Sequence, residues 1–341
     1  MLRAHLGRIS LQTHRSLIGA GLPKRTFGSS IPGGRTKRPQ VPILKPSLWA
    51  LAATTTIYVW CATYDVYQDV QDAKRKGWFR EGSANSFQDL EAAKSRSRTQ
   101  HITSRSSSSA WYPLGLGEML AGFSDAEKVN LCAMALNISL FGATSLAPGA
   151  FMQHFSHVPI SSPNYTLLTS VFGHSGLLHL GVNTLMLLQL GPGVARSKTF
   201  EGNGGHFAAF FLSAGILSSL GDQLATTLWT RTYWANRFAP AMGASGVIMA
   251  MLGVWATTNP NAEVGIMFLP GSYSIQNVVA AMVLFEACGL FIGFPFFNIG
   301  HGAHLAGLAV GSAYVYFDGK RYMWRPSRRL AFNTMKRLHI V

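Results

Sequence analysis

Charge of either sign is scarce in this sequence, and the scarcity is concentrated in long runs. Only 13% of the 341 residues are Asp, Glu, Lys or Arg, about half the share of a typical soluble domain. None lies between residues 129 and 195, and further charge-free runs cover residues 46–64, 202–221, 238–262, 264–285 and 287–317. A helix needs about 20 apolar residues to cross a bilayer. The sequence therefore predicts a polytopic membrane protein rather than a soluble fold.

Acidic residues are missing before Asp65, whereas Arg and Lys recur throughout that stretch with Ser and Thr scattered among them. An Arg-rich, acid-free leader of this kind is typical of an organellar transit peptide. The apolar stretch that a secretory signal needs near its start is also missing. Residues 1–45 are therefore predicted to be a transit-like leader, with a basic cytoplasmic tail as the alternative.

Several other patterns are absent, and each absence excludes a class of site. The three cysteines stand at unrelated spacings inside apolar runs, so they form neither a disulfide framework nor a metal pattern. No His-Glu-x-x-His motif of a zinc protease occurs. The net charge of +15 comes largely from the two ends, and no basic stretch is interleaved with aromatic residues. We therefore expect no metal, no cofactor and no nucleic-acid partner.

The apolar segments predict an all-α architecture. A first transmembrane helix is expected at 46–65, followed by a polar, solvated linker at 66–127. A core over 128–318 then holds six helices, and a basic tail at 319–341 is expected outside the membrane. Turn residues delimit the six core helices, which are expected near 128–146, 167–190, 206–229, 244–258, 274–293 and 300–317.

Polar side chains inside apolar spans are costly and indicate function. The second core helix is expected to carry His179 and Asn183, the fourth opens at Ser245, and the sixth carries His304. Alternate helices of a bundle run in the same direction, so these residues can meet at one depth. His174 precedes His179 by five positions and is expected to face elsewhere on the same helix, in a structural role.

The residue types at these positions suit nucleophilic catalysis. A serine hydroxyl becomes an effective nucleophile when an adjacent base takes its proton, and imidazole fits that task. Ser245 lies between glycines at a helix start, where backbone N–H groups can stabilise an oxyanion. Gly307 and Gly311 form a face on the helix of His304 that lets a partner helix come close. His179 and Asn183 are four positions apart and can donate hydrogen bonds toward one point.

Two other readings of the buried histidines stay open at this point. His301 with His304, or His174 with His179, could bind a metal, although Glu286 is the only acid recognised deep in a core helix and its helix runs against the other three. The histidines could instead relay protons or hold a ligand in a transporter or binding scaffold.

The motifs together resemble the rhomboid intramembrane proteases, over residues 128–317. Along the chain they come in that family's order: His179-x-x-x-Asn183, then Gly-Ala-Ser-Gly around Ser245, then Ala-His-x-x-Gly-x-x-x-Gly beginning at Ala303. The resemblance implies a six-helix bundle and a Ser245–His304 dyad with no acidic third member. It also implies an oxyanion site formed by His179, Asn183 and the backbone at Gly243 and Ser245.

The leader and the extra first helix look like the mitochondrial branch of the family. This resemblance implies a multi-pass protein of the mitochondrial inner membrane that cuts single-pass membrane proteins, a dynamin-like GTPase among them, without a cofactor. The sequence departs from many members in two places: residues 153–166 contain no Trp-Arg pair, and Met249 stands where many bacterial members have a tyrosine. Both ends are basic, so charge does not settle the orientation in the membrane.

Overall fold

The structure, a computed structural model, describes residues 40–79, 84, 86–104, 120–228, 235–266, 269–294 and 299–340. Residues 1–39 of the expected leader lie outside the described residues. So do residues 80–83, 85 and 105–119 of the expected linker. The helices in the described part are α1 (Leu44–Arg75), α2 (Phe87–Ser104), α3 (Asp125–Ala143), α4 (Pro148–Phe155), α5 (Thr166–Thr169), α6 (Leu177–Ala195), α7 (Gly204–Leu228), α8 (Ser245–Thr258), α9 (Ile275–Phe291), α10 (His301–Tyr316) and α11 (Arg325–Arg337).

The first helix is longer than the sequence indicated. Instead of ending at 65, α1 continues to Arg75, and its buried residues recur every three or four positions along one face. That face packs along α7, where Gly205 allows close approach because a Cβ there would lie only 3.0 Å from the Cβ of Asp65. The segment 66–127 is therefore not simply a solvated linker: it contains the last turns of α1 and also α2, whose Leu90 is buried.

A capping box begins α3. The side chain of Ser124 accepts a hydrogen bond from the Glu127 backbone N–H, and the Glu127 carboxylate accepts one from the Ser124 N–H. This reciprocal arrangement satisfies two N–H groups that a helix start otherwise leaves without partners. The second carboxylate oxygen of Glu127 forms an ion pair with Arg196 at 2.6 Å. The start of α3 is thereby fixed to the end of α6.

The second core helix begins ten positions later than expected, because α5 and a 3₁₀ turn, Ser170–Phe172, occupy the start of the expected range 167–190. Gly173 follows that turn and lies so close to the Phe155 carbonyl oxygen that a Cβ would overlap it. The backbone becomes extended at Gly176 before α6 starts. His174 accordingly lies in a loop, and the expectation that the helix carries it is wrong.

The end of α6 also differs from the expectation. The run Gly191-Pro192-Gly193 suggested a break after 190, yet the helix continues through it to Ala195. The two glycines serve packing here: a Cβ at Gly191 would overlap the side chain of Asn130, and one at Gly193 would lie 2.7 Å from the Trp255 ring. A helical proline is tolerated where neighbouring groups compensate for its missing N–H.

Helices α8 and α10 share the most extensive helix–helix contact in the described part of the chain. A Cβ at Gly307 would overlap the carbonyl oxygen of Gly246, and one at Gly311 would overlap that of Ala250. Both glycines of the predicted contact face therefore meet backbone, which is how small residues bring helices together in membranes. The pairing sets the separation between the side chains at the starts of the two helices.

The fold is not purely helical, in contrast to the all-α expectation. An antiparallel pair of strands, β1 (Glu263–Ile266) and β2 (Leu269–Ser274), connects α8 to α9. Glu263 pairs with Ser274, and the register shifts between Val264 and Ile266. The short hairpin was overlooked because its apolar residues lie inside a charge-free run and do not alternate regularly with polar ones.

The basic tail is folded against the first helix. After a π-helical turn, Lys320–Trp324, α11 packs on α1 and buries Arg328. The guanidinium of Arg328 forms ion pairs with Asp65, Asp69 and Glu91, and Lys94 forms ion pairs with Asp65 and Asp69. These five residues cluster at one end of the helix bundle, which we call the charged end. Asn203, next to the start of α7, donates a hydrogen bond to Asp65 at 2.7 Å.

Several apolar side chains point outward from the core helices. Leu178 on α6 is 82% exposed and Leu284 on α9 is 66% exposed, which suits surfaces that face lipid. Two helices in the described part of the chain, Leu177–Ala195 and Gly204–Thr227, are long and apolar enough to cross a membrane by length and composition. That each of the seven expected helices crosses the bilayer stays a prediction.

Candidate active site

Ser245 is the first residue of α8, directly after a tight backbone turn. Gly243 has a φ of 126°, a conformation that residues with a Cβ rarely adopt. Its N–H donates to the Ser170 carbonyl at 2.9 Å, which fixes the turn against the segment before α6. The hydroxyl of Ser245 thus lies at a helix N-terminus, where the first backbone N–H groups have no partner within the helix.

His304 reaches Ser245 from the neighbouring helix. Its Nε2 lies 2.8 Å from the Ser245 Oγ, although the two residues are 59 positions apart in the chain. The His304 side chain is largely buried, with 15% of its surface exposed. The close α8–α10 contact is what makes this hydrogen bond short enough to form.

The other ring nitrogen of His304 contacts an acid. Its Nδ1 lies 2.8 Å from Oε1 of Glu286 on α9, and Oε2 of the same carboxylate lies 2.5 Å from the Nδ1 of His301. The resemblance implied no acidic third member, so this geometry differs from the expectation. Glu286 was set aside because α9 runs opposite to α8 and α10. An antiparallel helix, however, brings its C-terminal residues to the end where its neighbours begin.

His179 and Asn183 line the opposite side of the Ser245 turn. A Cβ on Gly243 would lie 2.8 Å from the His179 Nε2 and 3.9 Å from the Asn183 Nδ2, so the glycine leaves room for both side chains. The Ser175 backbone N–H donates to the His179 Nδ1 at 3.5 Å. With Nδ1 as acceptor, the ring proton lies on Nε2, toward Gly243. Asn183 donates one of its two amide hydrogens to the His179 carbonyl.

His174 does not face away from these residues. Its ring lies in the loop before α6 and packs against the His179 ring, with the centroids 5.1 Å apart. Burial is the largest cause that lowers the pKa of His174, to about 4, and the nearby His179 adds to the effect. His174 is therefore neutral near pH 7 and supports the His179 ring.

A cavity of about 600 Å³ adjoins these side chains. It is lined by Ser245, His304, His179, Asn183 and Gly243 among others. We call the end of the bundle where it lies the cavity end. It is opposite the charged end, because α7 begins beside Asn203, which donates to Asp65, and a later residue of the same helix, Asp222, lines the cavity.

Two lining residues bear on the sequence expectations. Met249 lines the cavity and packs in a buried cluster with Leu252, Ile275 and Leu308. Asp222 on α7 is another buried acid among the core helices, which the sequence analysis overlooked. Its carboxylate lies at the start of α10, where a Cβ on Gly302 would be 2.8 Å from the Asp222 Oδ1.

His157 fixes the loop that lacks a Trp-Arg pair. Its backbone exchanges two hydrogen bonds of 2.9 Å with Ala241, just before the Ser245 turn. Its ring nitrogens lie 2.7 Å from the Thr166 hydroxyl and 3.0 Å from the Gln223 amide oxygen. Burial lowers the pKa of His157 to about 4 despite the Gln223 contact. Sequence reasoning missed this residue, since a lone histidine in a loop carries no motif.

The metal alternative concerned these same histidines. Within the described ranges, no group of three or more His, Cys, Asp or Glu side chains is placed to hold a metal ion. The histidine nitrogens nearest to Glu286 are instead within hydrogen-bonding distance of its oxygens.

Comparison with known proteins identifies the class. Residues 162–321 match the rhomboid domain model. They include α6 to α10 and the turn before Ser245. A rhomboid domain is a helical membrane fold, and residues 162–321 of the chain carry one.

Relatives within the family carry the comparison further. The chain is 30% identical over 209 residues to presenilin-associated rhomboid-like protein A, mitochondrial, of Danio rerio, which covers 60% of this chain and 51% of the relative. It is 29% identical over 209 residues to the Homo sapiens presenilin-associated rhomboid-like protein, mitochondrial, covering 59% and 51%. It is also 29% identical over 150 residues to the rhomboid protease GluP of Bacillus subtilis, covering 43% and 24%. The chain thus spans about half the length of the mitochondrial relatives that it matches.

Proposed function

We propose that the chain is an intramembrane serine endopeptidase of the rhomboid type, which hydrolyses a peptide bond in or near the transmembrane segment of single-pass membrane proteins. The observation that carries the proposal is the 2.8 Å contact between the Ser245 Oγ and the His304 Nε2. The pair lines a cavity large enough for an extended peptide segment. The relationship to a bacterial rhomboid protease supports the same reaction class.

The first half of the reaction forms an acyl-enzyme. His304 takes the Ser245 hydroxyl proton on Nε2 while Oγ attacks the carbonyl carbon of the substrate. The negative charge that develops on the carbonyl oxygen is stabilised by donors from His179, Asn183 and the Ser245 backbone N–H. The Gly243 N–H, which the family resemblance included, already donates to the Ser170 carbonyl, so Gly243 contributes the space that the two side chains need. His304 then gives its proton to the leaving amine, and the peptide bond breaks.

The second half repeats these steps with water. His304 accepts a proton from a water molecule, whose oxygen attacks the acyl carbon, and the proton passes to the departing Ser245 Oγ. No cofactor is required, because the enzyme supplies the nucleophile, the base and the charge stabilisation.

We further propose a multi-pass location in the mitochondrial inner membrane, with residues 1–45 as a transit-like leader. The names of the relatives and the basic, acid-free composition of the leader support this location. By family resemblance, the substrates include an inner-membrane dynamin-like GTPase.

Gln223 donates to the Pro42 carbonyl at 2.6 Å, so the start of α1 lies at the cavity end. If the leader end faces the matrix, the cavity opens toward the matrix as well; protease protection of tags on both ends tests this orientation.

A fluorophosphonate probe tests the nucleophile directly. The purified protein in detergent should be labelled, and Ser245→Ala should abolish both labelling and cleavage of a model transmembrane substrate. Ser213→Ala is a matched control, because Ser213 is a buried serine on α7 outside the cavity lining. An unlabelled wild-type protein, or cleavage that survives Ser245→Ala, would refute the proposal.

The alternative of a transporter or binding scaffold draws on the chain of contacts from His301 through Glu286 to His304. Such a chain could relay protons through the cavity end. A relay of this kind would depend on the three ionisable residues and would not require Ser245. Substitution of Ser245 therefore separates the two functions.

A further inference from the structure

Glu286 is the strongest feature that the proposed dyad does not use. We infer that Glu286 is a positioning residue, which holds His304 in the tautomer that activates Ser245 and stabilises the imidazolium that forms. This inference rests on the proposed function and adds an acidic member to it.

The hydrogen-bond roles follow from the chemistry of a carboxylate. An ionised carboxylate only accepts hydrogen bonds, so the ring proton of His304 must lie on Nδ1, 2.8 Å from the Glu286 Oε1. Nε2 then presents its lone pair to the Ser245 hydroxyl, 2.8 Å away. The opposite tautomer would present an N–H to Ser245 and could not take its proton. The carboxylate thereby selects the reactive form of the base.

The carboxylate is itself held in place. Its Oε2 lies 2.5 Å from the His301 Nδ1, and the Glu286 side chain is only 2% exposed. The His301 ring fits because residue 289, one turn after Glu286 on α9, is a glycine whose Cβ would overlap that ring. Both oxygens of Glu286 therefore accept hydrogen bonds from histidines, and its orientation is set by α9 and α10 together.

The other ionisable groups that face His304 have different contacts. They are His301 on its own helix, His179 on α6 and Asp222 on α7. Asp222 approaches the backbone at the start of α10 near Gly302, and the described hydrogen bonds of His304 go to Glu286 and Ser245. Glu286 is thus the acid that can fix the His304 ring.

The proton balance assigns Glu286 a role without a proton transfer of its own. One proton moves from the Ser245 Oγ to the His304 Nε2, and the Oγ–carbon bond forms as the carbonyl π bond opens. His304 becomes positively charged beside the Glu286 carboxylate, which stays ionised throughout. The same charge pair is discharged when His304 protonates the leaving amine. Such an acid orients the base and stabilises its charged form.

The test compares Glu286→Gln with wild type in detergent or liposomes. We expect kcat/KM for a model transmembrane substrate to fall about 10²–10⁴-fold, as when an orienting carboxylate is replaced by its amide. We also expect the acid limb of the kcat/KM profile to move to lower pH, because the imidazolium loses its counter-charge. Glu286→Asp keeps the charge and should restore part of the activity and the wild-type acid limb.

Glu127→Gln serves as the matched control. Glu127 is another buried helix carboxylate, held by Ser124 and Arg196 at the opposite end of the bundle. This variant should leave the pH profile unchanged. A purely structural role for Glu286 would predict the same behaviour for both variants, with any loss of activity following loss of folded protein.

The outcomes separate the inference from the proposed function. If the fluorophosphonate labels Ser245 in wild type while Glu286→Gln retains activity within about threefold and an unshifted profile, the inference is overturned and the protease stands. If Glu286→Gln does not fold, Gly289→Ala displaces the His301 ring by steric overlap and leaves the carboxylate present. A loss of kcat at constant KM in that variant supports the inference, and unchanged kinetics overturn it.

Discussion

The cavity end and the charged end of the bundle both bury ionisable side chains, but their chemistry differs. At the charged end, Arg328 is enclosed by the carboxylates of Asp65, Asp69 and Glu91, so that opposite charges pair directly. At the cavity end, Glu286 meets two imidazoles, and Ser245 meets one of them beside an open cavity. Paired charges join segments distant in sequence, whereas imidazoles beside a cavity can gain and lose protons. The charged end therefore holds the fold together, whereas the cavity end carries the groups that we propose to react.

The largest effect on activity is expected from removing the proposed general base, His304, at the cavity end. His304→Ala should lower kcat by about 10⁴–10⁶-fold, since removing a base that acts with a serine costs nearly the full benefit of the unit. The free energy of unfolding in detergent should change little by comparison. Steady-state cleavage and chemical unfolding, measured on the same preparation, check both statements. Comparable losses in both measurements would assign His304 to the fold instead.

The charged end should respond in the opposite way. Arg328→Ala removes the buried guanidinium that pairs with Asp65, Asp69 and Glu91, leaving Lys94 as the remaining cation for the two aspartates, and should lower the free energy of unfolding by about 3 kcal/mol. Burial lowers the pKa of Arg328 to about 10, so the side chain still carries its charge at pH 7 and the loss is expected there. Arg329→Ala, an exposed neighbour, should change stability by less than about 0.5 kcal/mol. Equal effects of the two variants would contradict the pairing.

A change at the α8–α10 contact should lower both the stability of the fold and the reactivity of Ser245. Gly311→Ala places a methyl group against the Ala250 carbonyl oxygen, and overpacking of this kind costs about 1–3 kcal/mol. Because the same contact sets the distance from Ser245 to His304, fluorophosphonate labelling should slow as well. Gly142→Ala, at a helix position with open space around it, is the control that should change neither property.

The smallest effect is expected from pH acting on His157. Its pKa is lowered to about 4 by burial, compared with about 6.5 in an unfolded chain. Folding therefore favours the neutral ring. The stability that this provides is complete above about pH 6.5 and is lost as the pH falls toward 4. At pH 5 the loss should be on the order of 2 kcal/mol, visible as a lower unfolding midpoint that His157→Asn makes less dependent on pH.

The sequence indicated much of the cavity end because few polar residues occur in apolar helices. Ser245 and His304 stood out on two helices of the same direction, and Gly307 with Gly311 indicated their close approach. Glu286 was not recognised from the sequence because its helix is antiparallel to the other two, and such a helix ends where its neighbours begin. Whether the five predicted residues act as nucleophile, base and oxyanion site stays a prediction.

The remaining differences arise from tertiary contacts that local patterns do not encode. Gly173 and Gly191 are the same residue type, yet Gly173 lies before α6 and Gly191 lies inside it. The difference follows from what each packs against: the Phe155 carbonyl for Gly173 and the Asn130 side chain for Gly191. The mixed-charge segment after Asp65 looked solvated because its acids appeared free. Their partner, Arg328, lies more than 200 positions away in the chain, and only the fold brings it to them.

The burial of α9 has a mechanical consequence. This helix buries only Ile275, Glu286 and Gly289, so its attachment to the bundle depends strongly on the carboxylate between His301 and His304. The hydrogen bonds that attach this helix are the same ones that, in our proposal, orient His304. If Glu286 is the positioning residue that we propose, an outward displacement of α9 that withdraws its carboxylate also releases the His304 ring from the tautomer and orientation that face Ser245.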